Sequence, residues 1–587
     1  MRFSKLFPRT RRENPKDASS GTKLLVRAGF IEQISRGIWI MTTLGLMVRR
    51  RVEAIVRDEM NRAGAIELEV PLLHPRELWD ETGRWEKYLS AGIAFHLTDR
   101  KGGEFILSPT AEEPITNFAR HHLRTHRDLP INLYQIGTKF RDELRPRQGL
   151  VRGREFVMKD AYSFDADEAG MQRSFAAMDE AYRRVFERCD FDFVRVEADS
   201  GAIGGTGSVE FMALTEFGED VLLQCPSCGY GGNQEKARAY FPPYPEDALE
   251  PLEEIATPDI KTVEQLEEFV GLPAARMAKT IVLVTSEGKP VIVTMRGDLE
   301  ISETKLANFL VVESVETADL ATVESVTGAP VGFAGPINLY GRTDVPYYFD
   351  SSVQGLRNFL CGANREDVHF VSVNAGRDFP EVEEYHDLSK AVDGQHCSHC
   401  QVGVLKERRG IELGHIFQLQ QVYSKPMNAT FTAANGDAVP FWMGCYGIGV
   451  SRIVQAIVEQ RYDDRGILWP FALTPFDMVV IPVKGEHLSP ATELYHQLTK
   501  EGISVLLDDR DARIGEKLTD AELQGWPIQV LLGRSWDSGR ELEVRWRDPA
   551  NFDTSVFTTG GKLPTATMTI DELTKLIVRL KKGADSA

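Results

Sequence analysis

LYQIGTKFRDELRPRQGLVRGREFVMKDAYSF, running from Leu133 to Phe164, is the stretch whose reading decides the fold. Tyr134 to Arg141 is rich in aromatic and β-favouring residues, and Glu155 to Phe164 returns after a turn region that holds Gly149 and Gly153. The spacing predicts an antiparallel hairpin with a long loop. Arg141, Arg145, Arg147, Arg152 and Arg154 crowd that loop, with Glu143 and Glu155 among them. Fork-shaped cations at such density suit phosphate and carboxylate oxygens. Taken alone, the hairpin also fits a solvated basic loop on a sheet edge, so the rest of the chain has to decide.

A chain of 587 residues, 42% hydrophobic and 26% charged, is long enough for three or four globular domains with ample cores. Its net charge of −19 argues against a protein that coats nucleic acid through an extensive basic surface, so nucleic-acid contact must be local. Met1 to Lys16 is basic but no apolar core follows it, and the most apolar stretch, Gly37 to Val48, is short and broken by two threonines. A soluble, cytoplasmic protein with no membrane contact is expected. Seven cysteines, three of them isolated, do not make a secreted disulfide framework.

In chain order, Lys23 to Arg62 reads as helical segments around an interruption from Gly37 to Gly45, and Gly64 ends the second. AIELEVPLLHP then alternates like a strand as far as Pro71. Far downstream, MGCYGIGVSR from Met443 to Arg452 leads into IVQAIVEQRYD, whose apolar residues recur at helical spacing. Gly444, Gly447 and Gly449 allow close backbone approach, and the N-terminus of the helix behind them favours anionic groups. A long helix, a strand and a proline resemble motif 1 of the class II aminoacyl-tRNA synthetases, which forms their dimer interface. FRDE, a variable loop and REF resemble motif 2, and GCYGIGVSR resembles motif 3.

Within that class, SPTAEE at Ser108 to Glu113 and GHIFQL at Gly414 to Leu419 resemble signatures of prolyl-tRNA synthetases, and RAGFIEQISRGIW extends the match over nearly the whole chain. The resemblance is to the bacterial type, with a large insertion between motifs 2 and 3. Gln420 and Gln421 stand where the family often has Gly-Thr, and Trp442 where a smaller residue is common.

The resemblance implies an α/β protein: an α+β class II catalytic domain with an antiparallel sheet in residues 1–224 and 408–473, an inserted α/β editing domain in 225–407, and an α/β anticodon-binding domain in 474–587. Such an enzyme joins proline to tRNA(Pro) through an adenylate, with ATP as substrate and Mg2+ bridging phosphate oxygens. It implies Arg141 for the α-phosphate and the amino-acid carboxylate, Arg452 for the outer phosphates, Arg152 for further phosphate or loop contact, Glu143 for the adenine amino group and Phe156 for stacking. Thr110 and Glu112 suit a secondary ammonium, because both are acceptors for its two protons. His415 lies in the pocket signature. Arg145 and Arg147 are candidates for the tRNA acceptor end, with solvated loop charges as the alternative. Cys445 beside motif 3 is expected to be a small buried hydrophobe and not a nucleophile. A homodimer is expected.

CPSCG at Cys225 to Gly229 and CSHCQVG at Cys397 to Gly403 mark the ends of the insertion. A pocket sized for proline cannot strongly exclude alanine, since each missing methylene discriminates by only about 1 to 3 kcal/mol. A second, hydrolytic sieve meets that need, and Lys279, the turn from Gly332 to Pro336, and His369 match the family's deacylase positions. Cys225, Cys228, Cys397 and Cys400 could clamp the two ends through one structural Zn2+, with free thiols as the alternative. From Thr474 on, PFDMVVIPV, GISVLLDD and PIQVLLG alternate with helical segments, which indicates a mixed or parallel sheet. The competing expectations are a non-catalytic RNA-binding or regulatory protein on this scaffold and a different class II synthetase. Joint retention of Arg141, Glu143 and Arg452 disfavours the first, while SPTAEE and GHIFQL disfavour the second.

Overall fold

The strand Ile131–Phe140 pairs antiparallel with Glu155–Asp165, in register from Ile131 opposite Phe164 to Phe140 opposite Glu155. A computed structural model describes residues 1–13, 18–341, 344–550, 552–558 and 563–586. Side chains alternate across a strand, so Ala161 enters the core on one face while Tyr162 and Phe164 enter it on the other. Both faces are covered, so the polar residues of the two strands are buried with partners: Lys139 pairs with Asp160, and Lys159 donates to the Tyr182 hydroxyl.

The partners of this hairpin come from distant sequence. Trp442–Ile448 lies antiparallel to Glu155–Asp165, and Lys406–Gln420 lies antiparallel to Trp442–Ile448 with His415 opposite Gly447 and Phe417 opposite Cys445. Gly207–Leu214 extends the sheet beyond Lys406–Gln420, and Ile66–Glu67 forms a short parallel edge on Ile131–Phe140. The helices Thr43–Arg62, Glu168–Arg188 and Val450–Gln460 build the core on one face through Val52, Val56, Phe175, Ile453 and Ile457. The helix Glu112–His122 covers the other face through Ile115 and Ala119.

Two local expectations need correction. Helices Ser20–Arg27 and Thr43–Arg62 do flank an interruption, but its bounds shift: it is a hairpin of Ile31–Ser35 and Ile38–Met41, and Gly45 lies inside the second helix. A Cβ on Gly45 would collide with the Phe30 carbonyl, so this glycine serves close packing and does not end a helix. AIELEVPLLHP is also not one strand, because Ile66–Glu67 joins the large sheet whereas Leu73–Pro75 joins a separate three-stranded sheet.

Met1–Arg195, Ser200–Asp220 and Arg409–Ala587 form one compact unit. Its C-terminal part is a five-stranded sheet in the order Val505–Leu507, Met478–Pro482, Ile528–Leu532, Leu542–Trp546 and Thr565–Met568, parallel over the first three strands and antiparallel thereafter. Met478–Pro482 and Ile528–Leu532 are buried throughout, as central parallel strands are.

Val196–Asp199 and Val221–Arg408 form a second unit. It holds a four-stranded sheet, in the order Val315–Thr317, Ala278–Thr285, Pro290–Arg296 and Tyr347–Phe349, and a three-stranded sheet of Glu253–Ala256, Val368–Val373 and Phe359–Gly362. The helices Val263–Val270, Glu303–Leu310 and Leu320–Thr327 accompany them.

Candidate active site

The arginine loop is fixed from two sides. Gly37 accepts from the Arg154 amide at 2.8 Å, so the Ile31–Met41 hairpin lies against the loop, while Gln455 of the helix Val450–Gln460 accepts from the Leu150 amide at 2.6 Å. Arg141 places its guanidinium 5.3 Å from the Phe156 ring centre, with Nε 3.4 Å from the Pro109 carbonyl. The other arginines hold carboxylates: Arg152 donates to Glu143 at 2.8 Å, Arg147 pairs with Glu219 at 2.5 Å, and Arg154 lies 3.6 Å from Asp142. Arg145 is exposed.

Arg452 occupies the first turn of Val450–Gln460, behind Gly449. Its Nη1 donates to the Glu412 carbonyl at 2.8 Å and lies 3.3 Å from that residue's carboxylate, and its Nε donates to the Val151 carbonyl at 2.9 Å. Burial alone would raise the Glu412 carboxyl, but Arg452, His415 and Arg141 outweigh it and hold the group below its ordinary value. Arg141 and Arg452 therefore act on one carboxylate. His415 stacks on Phe417 with ring centres 3.8 Å apart, and its Nδ1 is 3.5 Å from Glu210. Gly444 and Gly447 lie within the strand and not in a turn; a Cβ on Gly444 would collide with the Tyr446 hydroxyl, so its close approach is to the protein itself.

Beneath this wall is a buried polar compartment. The Thr110 hydroxyl is 2.7 Å from each carboxylate oxygen of Glu112, which is buried at the start of the helix Glu112–His122. Cys445 donates to the same carboxylate at 3.3 Å, and Arg84 reaches it at 3.2 Å. The Cys445 thiol is pushed well above its usual range by burial and by Glu112, the opposite of what a nucleophile needs. Asp160 lies alongside, bound by Lys139 at 2.9 Å, Gln135 at 2.9 Å and the Tyr162 hydroxyl at 2.9 Å.

In the second unit, His369 Nδ1 is 2.7 Å from the Thr257 hydroxyl and its ring centre is 5.4 Å from that of Phe333. Burial pushes its pKa down to about 4, against the opposing effect of the Gly332 backbone. Gly332 has a φ of +99°, and a Cβ there would come within 2.7 Å of the Lys261 carbonyl. Pro336 begins a turn, accepting from the Tyr340 amide at 3.0 Å. Lys279 is half-buried near Glu300, Glu264 and Asp298; burial is the largest influence and lowers its pKa. His369 and Gly332 are thus brought together with Thr257, whereas Lys279 answers to a different set of charges.

The four paired cysteines converge in this unit. Their Sγ atoms all lie within 4.8 Å of one another, with Cys225 to Cys400 at 3.7 Å and Cys228 to Cys397 at 3.8 Å. Zn–S bonds of about 2.3 Å in a tetrahedron place sulfurs about 3.8 Å apart, so the donor set fits Zn2+ and is far too open for disulfides. The His399 amide points at Cys397 Sγ and the Gly403 amide at Cys400 Sγ, at 3.4 and 3.3 Å.

Comparison with known proteins places these geometries in a family. The model for the tRNA synthetase class II core domain (G, H, P, S and T) matches residues 95–461, and that for an anticodon binding domain matches 477–580. A proline--tRNA ligase of Geobacter sp. (strain M21) is 46% identical over 552 residues, 93% of this chain and 95% of that one. That of Syntrophus aciditrophicus (strain SB) is 44% identical over 590 residues, 99% and 98% of the two chains. The chain belongs to the prolyl-tRNA synthetases. A solved prolyl-tRNA synthetase from Cryptosporidium parvum, complexed with halofuginone and AMPPNP, shares the fold with a TM-score of 0.55 at 12% identity, over 96% of this chain and 76% of that one. Class II synthetases use ATP with Mg2+. Among the described residues, no helix of this synthetase is long and apolar enough to cross a membrane.

The sequence singled out the arginines and the Thr110–Glu112 pair of this synthetase but missed Arg84, Glu219 and Asp160. Arg84 carries a faint signal, a lone arginine among Trp79, Trp85 and Tyr88. Glu219 carries none, because only the folded loop shows that it meets Arg147.

Proposed function

We propose that this synthetase activates proline with ATP and transfers it to tRNA(Pro). A proline carboxylate oxygen attacks the α-phosphorus, the bond to the bridging oxygen breaks, and pyrophosphate leaves. A ribose hydroxyl of the terminal adenosine then attacks the carbonyl of the mixed anhydride and AMP leaves. Arg452 paired with Glu412, Arg141 set against Phe156 and the Pro109 carbonyl, and the buried Thr110–Glu112 pair together carry this reading. No side chain serves as nucleophile; positioning and charge stabilisation promote both steps.

In this reading Arg141 holds the proline carboxylate and the α-phosphate, Arg452 the outer phosphates, and Arg152 a further phosphate or loop contact. Glu143 accepts from the adenine amino group and Phe156 stacks on the base. Thr110 and Glu112 receive the secondary ammonium, His415 lines the same pocket, and Arg145 and Arg147 meet the acceptor end. Arg152 and Arg147 would exchange Glu143 and Glu219 for these partners. Mg2+ would enter with the ATP and supply charge stabilisation at its phosphates. Residues 225–407 serve as an editing domain in which Lys279, Gly332, Pro336 and His369 surround the alanyl ester, and residues 474–587 bind the anticodon. Zn2+ on Cys225, Cys228, Cys397 and Cys400 is structural. Exposed Ile66, Leu72 and Leu73, after the long helix, support a homodimer, and the protein works in the cytoplasm.

The deciding experiment is ATP–pyrophosphate exchange with proline, alanine, cysteine and threonine in parallel. Strong exchange with proline and weak exchange with alanine is expected. No exchange with any of them, from folded protein that still binds tRNA, would put the non-catalytic reading in its place.

A further inference from the structure

Behind Thr110 and Glu112, Arg84 sits in a closed compartment. Its Nη1 is 3.2 Å from one oxygen of Glu112 and 2.9 and 3.1 Å from the two oxygens of Glu113. Both carboxylates are fully buried and Arg84 is 6% exposed. The guanidinium also lies 5.0 Å from the ring centre of Trp79, 4.4 Å from Tyr88 and 5.0 Å from Tyr423, and it donates to the Tyr88 hydroxyl. Removing a carboxylate from water is costly unless it finds a charge or donors, and ring faces help a cation accept the same move.

One positive charge here faces two negative ones. Among the described residues, the other side chains that donate to these carboxylates are neutral: Thr82 to Glu113 at 2.8 Å, and Thr110 and Cys445 to Glu112. The neighbouring Lys139 has its own counterion in Asp160 at 2.9 Å. Arg84 makes its two shorter contacts with Glu113, and only its longest with Glu112. Glu113 thus occupies the arginine, leaving Glu112 oriented but not neutralised.

We infer that Arg84 is a positioning residue for amino-acid recognition, anchored by Glu113 so that it fixes the Glu112 carboxylate while leaving its charge for the substrate's ammonium. This rests on Glu112 being the group that receives that ammonium. Glu113 then has a part in specificity without touching substrate. With Glu113 neutral, Arg84 turns its charge on Glu112, and the compartment no longer calls for a cation.

The test measures exchange kinetics of the full-length protein for Glu113→Gln, Arg84→Lys and Glu112→Gln, varying proline and ATP separately. It includes inhibition by tetrahydrofuran-2-carboxylate, which is proline with an ether oxygen in place of the ring nitrogen. A hydrogen bond to a charged group sets the scale at about tenfold or more. Glu113→Gln is expected to raise the KM for proline about tenfold, to leave the KM for ATP within about twofold, and to shrink the preference for proline over the analogue that lacks the ammonium. Arg84→Lys, which keeps the charge but loses the fork, is expected to fall between this variant and the parent. If Glu112→Gln raises the proline KM but Glu113→Gln and Arg84→Lys leave it and the analogue preference unchanged, the role of Arg84 is overturned. If Glu112→Gln itself leaves both unchanged, the assignment of Glu112 falls, and this inference with it. A proportional rise of both KM values in Glu113→Gln, with the analogue preference intact, would make Arg84 structural and also overturn it.

Discussion

The Cys445 thiol donates to the Glu112 carboxylate at 3.3 Å, although 333 residues separate the two in sequence. Replacing Cys445 with alanine removes one of the donors that hold Glu112, and a hydrogen bond to a charged group is worth about 1.5 to 3 kcal/mol. A rise of about tenfold in the KM for proline, at unchanged KM for ATP, is expected. Because burial raises this thiol, the native protein should also react slowly with iodoacetamide at pH 7.5 at this position, as mass spectrometry of the labelled protein will show.

Arg452 anchors the outer end of the site through Glu412 and the Val151 carbonyl. Loss of one well-placed donor to developing charge typically costs about 100-fold or more in rate. Arg452→Ala is expected to lose most adenylate formation while its circular dichroism stays that of the parent. Near-normal exchange would remove Arg452 from the site.

Editing should separate from activation. Lys279→Ala is expected to leave proline-dependent exchange intact and to slow hydrolysis of alanyl-tRNA(Pro) by about tenfold or more, the scale of a lost charged hydrogen bond. Equal losses in both assays would contradict two separate sites.

His74 is buried, donates through Nε2 to the Pro71 carbonyl at 2.8 Å, and has its pKa pushed down to about 4, chiefly by burial. Its ordinary value is 6.5. Between these values the unfolded chain binds a proton that the native state does not, so stability falls as pH drops through this window and is complete above it. The whole effect amounts to about 3 kcal/mol. Urea denaturation at pH 7 and pH 5 should therefore differ less for His74→Gln than for the parent; an equal difference would exclude His74 as a source of the acid sensitivity.

Purified protein is expected to carry one zinc per chain by metal analysis. Cys397→Ser should release it and lower the thermal transition of the insertion, since a structural site's binding energy is folding energy. Far less than one zinc, with free thiols intact, would leave the four cysteines unmetallated.

Much of the catalytic unit was legible because its signals are local. Tyr134 to Phe164 announced a hairpin by composition and turn residues, and Val450–Gln460 by apolar spacing after a glycine. The C-terminal sheet was legible because its buried parallel strands are continuous apolar runs. What stayed hidden depends on pairing at long range. Nothing in Gly45 itself tells a helix breaker from a glycine that lets Phe30 pass. Arg84 became a site residue only when its helix met Glu112 and Glu113. The four cysteines could be paired on paper, but their meeting at a single point required a fold that returns Cys397 to Cys228.

The strand Trp442–Ile448 lies between Glu155–Asp165 and Lys406–Gln420. On a ribosome, Glu155–Asp165 therefore emerges long before the partner that completes its outer edge. At about 5 to 20 residues per second, that edge stays open for roughly 15 to 55 s. An unpaired strand edge is a template for pairing with other chains. Most of the residues between them, Val221–Arg408, have their own compact unit in which to fold during this interval, so the delay falls on the unit that holds the central sheet, and translation speed through the insertion becomes a determinant of how much chain reaches the active form.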